Sequence, residues 1–165
     1  MKTLDDLLLL GDPRLYQVSE PILKSELNQV QGWVQDLDQV MKAIRAKYHF
    51  GRAVALPQLG VMKRLIYMNA VPEIDQPVVF INPELIDLSD ELFEVWDDCM
   101  CFPNLLVKVK RHKSITIRYL DESWQQKEWQ MDGDLSELLQ HEYDHLEGIL
   151  CTMRAIDDRS FKWRL

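Results

Sequence analysis

The segment His141-Glu142-Tyr143-Asp144-His145 restricts the fold more than any other stretch of this chain. Two imidazoles four residues apart can meet one ion only on an α-helix, where they project from one face a turn apart. The neighbouring Leu135, Leu138, Leu139 and Leu146 recur at helical spacing, so a largely buried helix is expected. It should start near Asp132-Gly133-Asp134, with Asp134 and Glu137 as a capping box, and stop before Gly148. Glu142 stands beside the ion site, placed to take a proton from water held there. The bland alternative is a solvated face with two exposed histidines, but histidines on a buried helix need partners, which favours ligation.

Two imidazoles leave a catalytic site one protein ligand short, and spacing alone leaves Cys99, Cys101, Cys151 and Asp97 all open as the third. The three cysteines are an odd number, and a Cys-x-Cys pair does not suggest a secreted disulfide framework, so a reducing cytoplasm is the expected setting. With 19 basic against 27 acidic residues and a net charge of -8, the chain has the wrong sign for gripping phosphate backbones, which argues against nucleic acid as a direct partner. The apolar run Leu7 to Leu10 is too short for a signal peptide or a membrane span.

Length and a 47% hydrophobic content predict one domain over residues 1–165. Between about Ser25 and Lys47, Val30, Trp33, Val34, Leu37, Val40, Met41 and Ile44 recur every three or four residues, giving a first helix with one buried face. After Gly51 the period shortens. Arg64 to Met68, Pro77 to Ile81, Leu85 to Trp96, Leu105 to Lys110 and Ser114 to Leu120 read as strands. The expected class is α+β, with mixed or antiparallel sheets packed around the central metal-binding helix.

Three segments, in order, resemble the signature motifs of the peptide deformylases: Gly51-Arg52-Ala53-Val54-Ala55-Leu56-Pro57-Gln58, then Asp97-Asp98-Cys99-Met100-Cys101-Phe102-Pro103, then Gln140-His141-Glu142-Tyr143-Asp144-His145-Leu146-Glu147-Gly148. Gly11-Asp12-Pro13-Arg14-Leu15 is similar to the family's N-terminal turn, and Ile81-Asn82-Pro83-Glu84 to its strand-ending Asn-Pro. The resemblance implies a deformylase-like fold, with Cys99, His141 and His145 holding one divalent metal ion. Fe(II) is favoured, with Zn(II), Ni(II) or Co(II) as alternatives. It also implies that Glu142 is the general acid/base and that the Gln58 amide, with the backbone N–H of Met100, steadies the oxyanion. The implied reaction removes the formyl group from the N-terminal methionine of nascent peptides. The implied partner is an N-formylated peptide or related small amide.

The chain departs from the family pattern around the substrate. Ala53 stands where a second glycine is usual, Leu56 where a small alanine is usual, and Arg52 where an apolar residue is usual. Asp97-Asp98 replaces Glu-Gly, and Asp134 falls where the methionine pocket is usually apolar, while Leu138 stays apolar. The expected substrate-binding set is Gly51, Arg52, Ala53, Asp97, Asp98, Asp134 and Leu138. Convergence of Arg52, Asp98 and Asp134 would make that pocket polar. Two alternatives follow: a relative that cleaves another N-formyl or N-acyl amide, and a non-catalytic metal-binding relative. Retention of both Glu142 and Gln58, neither a ligand, argues against the second. An unrelated zinc endopeptidase using only the histidine helix is a further alternative.

His49 and His112 lie outside the motifs and read as ordinary turn or surface residues, and Cys151 reads as a small buried hydrophobe. Cys101 is expected on the opposite side of a strand from Cys99. The basic, aromatic tail Arg159 to Arg164 would suit a ribosomal or other anionic contact, or simply a packed terminus with solvated charges.

Overall fold

Helix α1 spans Leu27–Tyr48 and buries Val30, Leu37, Val40, Met41 and Ile44, the stripe that the spacing predicts. The computed structural model describes residues 1–165. The helix begins two residues later than Ser25 because Lys24–Glu26 forms a 3₁₀ turn, in which the Glu26 carboxylate accepts from Leu23 N at 2.8 Å. It ends at His49, which takes the left-handed conformation with φ 63°.

The strands are β1 (Ala53–Ala55), β2 (Leu65–Met68), β3 (Val78–Leu88), β4 (Leu92–Asp98), β5 (Leu105–His112), β6 (Ser114–Leu120), β7 (Gln126–Asp132) and β8 (Phe161–Trp163). They form a five-stranded sheet in the order β1-β2-β3-β6-β7 and a three-stranded sheet in the order β4-β5-β8. Every neighbouring pair is antiparallel.

Two expected boundaries are corrected. Pro77–Ile81 and the start of Leu85–Trp96 are one strand, β3, which runs through Pro83 across a register shift between Ile81 and Glu84. Asn82, at φ 48°, makes that irregularity tolerable: its Oδ1 accepts from Ile22 N and its Nδ2 donates to Ile22 O, each at 2.8 Å. The expected strand from Leu85 to Trp96 breaks between Leu88 and Leu92, where the chain leaves the five-stranded sheet for the three-stranded one.

Helix α2, Gly133–Leu146, carries the histidine motif and is buried on two faces. Its apolar face, Leu135, Leu138, Leu139 and Leu146, packs with Ala53, Ile66, Phe80, Ile115 and Ile117 of the five-stranded sheet. Its polar face meets β5: Ser136 Oγ and Gln140 Nε2 both donate to His112 O at 2.8 Å, and His112 N donates to Gln140 Oε1 at 2.9 Å. The expected capping box is absent. Asp132 is the N-cap, without a side-chain capping bond, and Asp134 lies exposed in the first helical turn.

Past the helix, Gly148 has φ 69°, and a Cβ there would lie 2.6 Å from the backbone carbonyl carbon and oxygen of Tyr16. Gly148→Ala combines left-handed strain with overpacking and should cost about 2–4 kcal/mol. A lowered urea midpoint with an unchanged slope checks this.

Candidate active site

Each site residue comes from an element with a local reason for its position. Gln58 sits in a 3₁₀ turn, Leu56–Leu59, at the end of β1. Its Oε1 accepts from Ala55 N at 2.8 Å, which fixes the amide so that Nε2 points at Cys101 Sγ, 3.4 Å away, and Cys99 Sγ, 3.8 Å away. Cys99, Met100 and Cys101 follow the end of β4 and are all buried. Cys101 does not face the far side of a strand as expected. It sits in a turn and turns its sulfur toward Gln58. Leu56, a bulky departure in the first motif, packs into the α1 core, so that motif's departures that reach the cavity described below are Arg52 and Ala53.

On α2 the His141 and His145 rings stand one turn apart with centroids 5.0 Å apart. Cys99 Sγ lies 3.4 Å from His145 Nε2, and one ligand atom from each of Cys99, His141 and His145 falls within 4.8 Å of the others, all buried. A thiolate and two imidazoles form a borderline-soft donor set that suits a divalent transition-metal ion. Burial, then the charge of His141, lowers the His145 pKa well below its usual value, keeping it a neutral donor.

Asp97, His141 and Cys151 also lie within 4.8 Å of one another, but here the carboxylate is already engaged. Asp97 Oδ1 lies 3.0 Å from His141 Nδ1, and Asp97 Oδ2 accepts from Arg111 Nη2 at 2.7 Å. Such a carboxylate orients the imidazole and leaves its other nitrogen for an ion. Burial opposes ionisation of Asp97, yet His141 and Arg111 together hold its pKa at about 2. Arg111 also donates to Asp144 Oδ2 at 2.6 Å, and Arg154 clamps Asp144 through Nε and Nη2 at 2.6 and 2.8 Å. Cys151 is buried with Leu8, Leu15 and Leu150.

Glu142 is 3% exposed, and its Oε2 has no hydrogen-bond partner. Burial raises its pKa to about 7, a value suited to a group that accepts and returns a proton. A cation at the neighbouring donors favours the carboxylate and draws that value down.

These residues open onto a cavity of about 560 Å³. Its lining includes Gln58, Cys99, Met100, His141 and Glu142, and from the expected substrate set Gly51, Arg52, Ala53, Asp97, Asp98 and Leu138. Gly51 is required there by its backbone, whose φ of 124° an L side chain rarely adopts. Asp134 is exposed and lies outside the cavity, so its expected pocket role is corrected. Of the expected trio Arg52, Asp98 and Asp134, the first two do meet at the cavity, where Arg52 pairs with Glu137 at 2.8 Å and Asp98 pairs with Arg164. His49, expected as an ordinary turn residue, lines the cavity beside Arg45.

Sequence reasoning missed Arg111, Asp144, Arg154 and Glu137. A signal for Arg111 existed, because it continues the inward alternation of Val107 and Val109 along β5. Asp144, on a helix buried on both faces, likewise required a cationic partner.

The sequence model of the polypeptide deformylase family matches residues 4–160. A peptide deformylase of Salinibacter ruber is 32% identical over 151 residues, covering 84% of this chain and 77% of its own. Among solved structures, a peptide deformylase from Synechococcus elongatus in complex with actinonin superposes with a TM-score of 0.83 at 28% identity, over 93% of this chain and 80% of that one. A class I type b peptide deformylase from Acinetobacter baumannii, bound to Met-Ala-Ser, superposes with a TM-score of 0.76 at 28% identity, over 90% and 96% of the two chains.

Proposed function

The chain belongs to the polypeptide deformylase family, and from that premise we propose that Cys99, His141 and His145 hold one divalent metal ion, ferrous iron first among them. There the enzyme hydrolyses the N-formyl group from the N-terminal methionine of nascent peptides. The observation that carries the assignment is the convergence of three buried donors beside an unpartnered, buried carboxylate at one cavity. Family membership sets aside the unrelated endopeptidase.

When bound, the ion polarises the formyl carbonyl and lowers the pKa of water at the site. Glu142 accepts a proton as water adds to the formyl carbon, then passes it to the nitrogen as the C–N bond breaks, so formate and a free amine leave. Gln58, its amide fixed by Ala55 N–H, and the Met100 backbone N–H donate to the oxygen that gains charge. Asp97 and Arg111 keep the His141 ring aligned.

No helix is long and apolar enough to cross a membrane, and all three cysteines are free, which supports the cytoplasmic setting. Any contact with the ribosome falls to the tail, where Phe161 and Trp163 are exposed.

Anaerobically purified, iron-loaded protein should release formate from formyl-Met-Ala-Ser and no acetate from acetyl-Met-Ala-Ser. Chelation should abolish the activity, and Fe(II), Ni(II), Co(II) or Zn(II) should restore it to different extents. Metal-loaded protein that leaves every formyl peptide intact would overturn the enzyme reading in favour of a metal-binding relative.

A further inference from the structure

The cavity wall nearest the reaction centre is charged. Glu137 lies four residues before His141 on α2, and Leu138 four before Glu142, so both line the helix face that leads away from the reacting atoms. A side chain on the carbon bearing the formamido nitrogen can extend along this face, toward Leu138 and Glu137, with Ala53 and Arg52 lining the same cavity.

Arg52 Nη2 donates to Glu137 Oε1 at 2.8 Å, and this is the single side-chain hydrogen bond that either residue makes. Arg52 keeps its Nε and Nη1 donors, and Glu137 keeps Oε2 as a free acceptor. The Glu137 side chain is only 12% exposed and that of Arg52 38%, so the pair is already partly withdrawn from water. A hydrocarbon tip placed over it would strip the remaining water from these groups and replace none of its hydrogen bonds.

A charged tip satisfies one edge only: a carboxylate gains Arg52 but faces Glu137, Asp97 and Glu142, while an ammonium gains Glu137 but faces Arg52 and the neighbouring Arg45, all lining the same cavity. A carboxamide satisfies both free edges: its oxygen accepts from Arg52, its NH₂ donates to Glu137 Oε2, and its methylene stem lies on Ala53 and Leu138. We infer that the Arg52–Glu137 pair is a specificity determinant within the deformylase reaction: formyl-methionine is still cleaved, and formyl peptides whose first side chain has methionine's length and a neutral hydrogen-bonding tip, as glutamine has, are cleaved faster. The inference rests on the deformylase reading.

Glutamine and norleucine side chains match in length, so the contrast isolates the tip. In one iron-loaded preparation, kcat/KM for formyl-Gln-Ala-Ser should exceed that for formyl-Nle-Ala-Ser about tenfold. The ratio should fall below one in Arg52→Leu/Glu137→Leu and stay above one in the charge swap Arg52→Glu/Glu137→Arg. Binding of the products Gln-Ala-Ser and Nle-Ala-Ser, followed by calorimetry, should track the same order. A wild-type preference for norleucine, or a ratio unmoved in the double leucine variant, overturns the inference. If no formyl peptide is cleaved, the deformylase reading falls, and the product-binding ratio still decides this one.

Discussion

Glu142→Gln should lower formate release by about 10³-fold while leaving the metal content of the protein unchanged. The amide keeps the shape of the side chain but cannot accept a proton, and Glu142 is not among the three donors that meet at the ion site. Single-turnover formate release, with metal counted on the same sample, separates the two effects. Activity within tenfold of the parent would remove Glu142 from the chemistry. A second readout follows from burial. The Glu142 pKa is raised from 4.5 to about 7 in the folded metal-free chain, so the carboxylate destabilises the fold from about pH 4.5 upward, fully above about 7. Metal-free Glu142→Gln should therefore unfold at a higher urea concentration than the metal-free parent at pH 8, and the difference should vanish near pH 4.

Arg111→Leu should be the most destabilising single change near the site. Arg111, 3% exposed, bridges two buried carboxylates, Asp97 and Asp144, and its loss leaves both short of a cationic partner. Removing one partner of a buried ionic cluster costs about 3–5 kcal/mol, which in a chain of this size lowers Tm by roughly 10 °C or more. The sign with pH is fixed. Asp97 has a folded pKa of about 2, below its usual 3.8, so in the parent it contributes stability above that range, lost as the pH falls through 2. The deficit of the variant should accordingly be largest at pH 7 and shrink as acid protonates Asp97. Metal affinity should fall about 10- to 100-fold because His141 loses its anchored Asp97. A calorimetric Tm within 3 °C of the parent at pH 7 would show that Arg154 and water compensate.

Much of the fold was legible from periodicity. The α1 stripe appeared within two residues of its true start, and α2 followed from four leucines and two histidines on helical spacing. The sheet was read less well. Alternation reports which face of a strand is buried but not which sheet the strand joins, so β3 and β4 merged in the reading. β7 has only Met131 fully buried, and β8 is exposed along its length, so neither carries an apolar pattern to detect. Around the site, Arg52 and Asp98 reach the cavity, but their partners were unreadable. α2 starts directly after β7, and its first turn buries Leu135 and Ser136 while Asp134 points to solvent, which leaves Glu137, one turn on, to meet Arg52. Asp98 is matched by Arg164, 66 residues further on, a pairing that no local pattern announces.

The two-sided burial of α2 has a bearing on how the protein acquires its ion. Leucines fasten the helix to one sheet, and Ser136, Gln140 and Asp144 fasten it to β5 and Arg154, without help from the ligand atoms. A scaffold secured in this way needs no cargo to take shape, unlike small metal-nucleated domains. The newly folded chain can wait with its clasp already formed, and the identity of the occupant then passes from the folding reaction to the cell's supply of free cations.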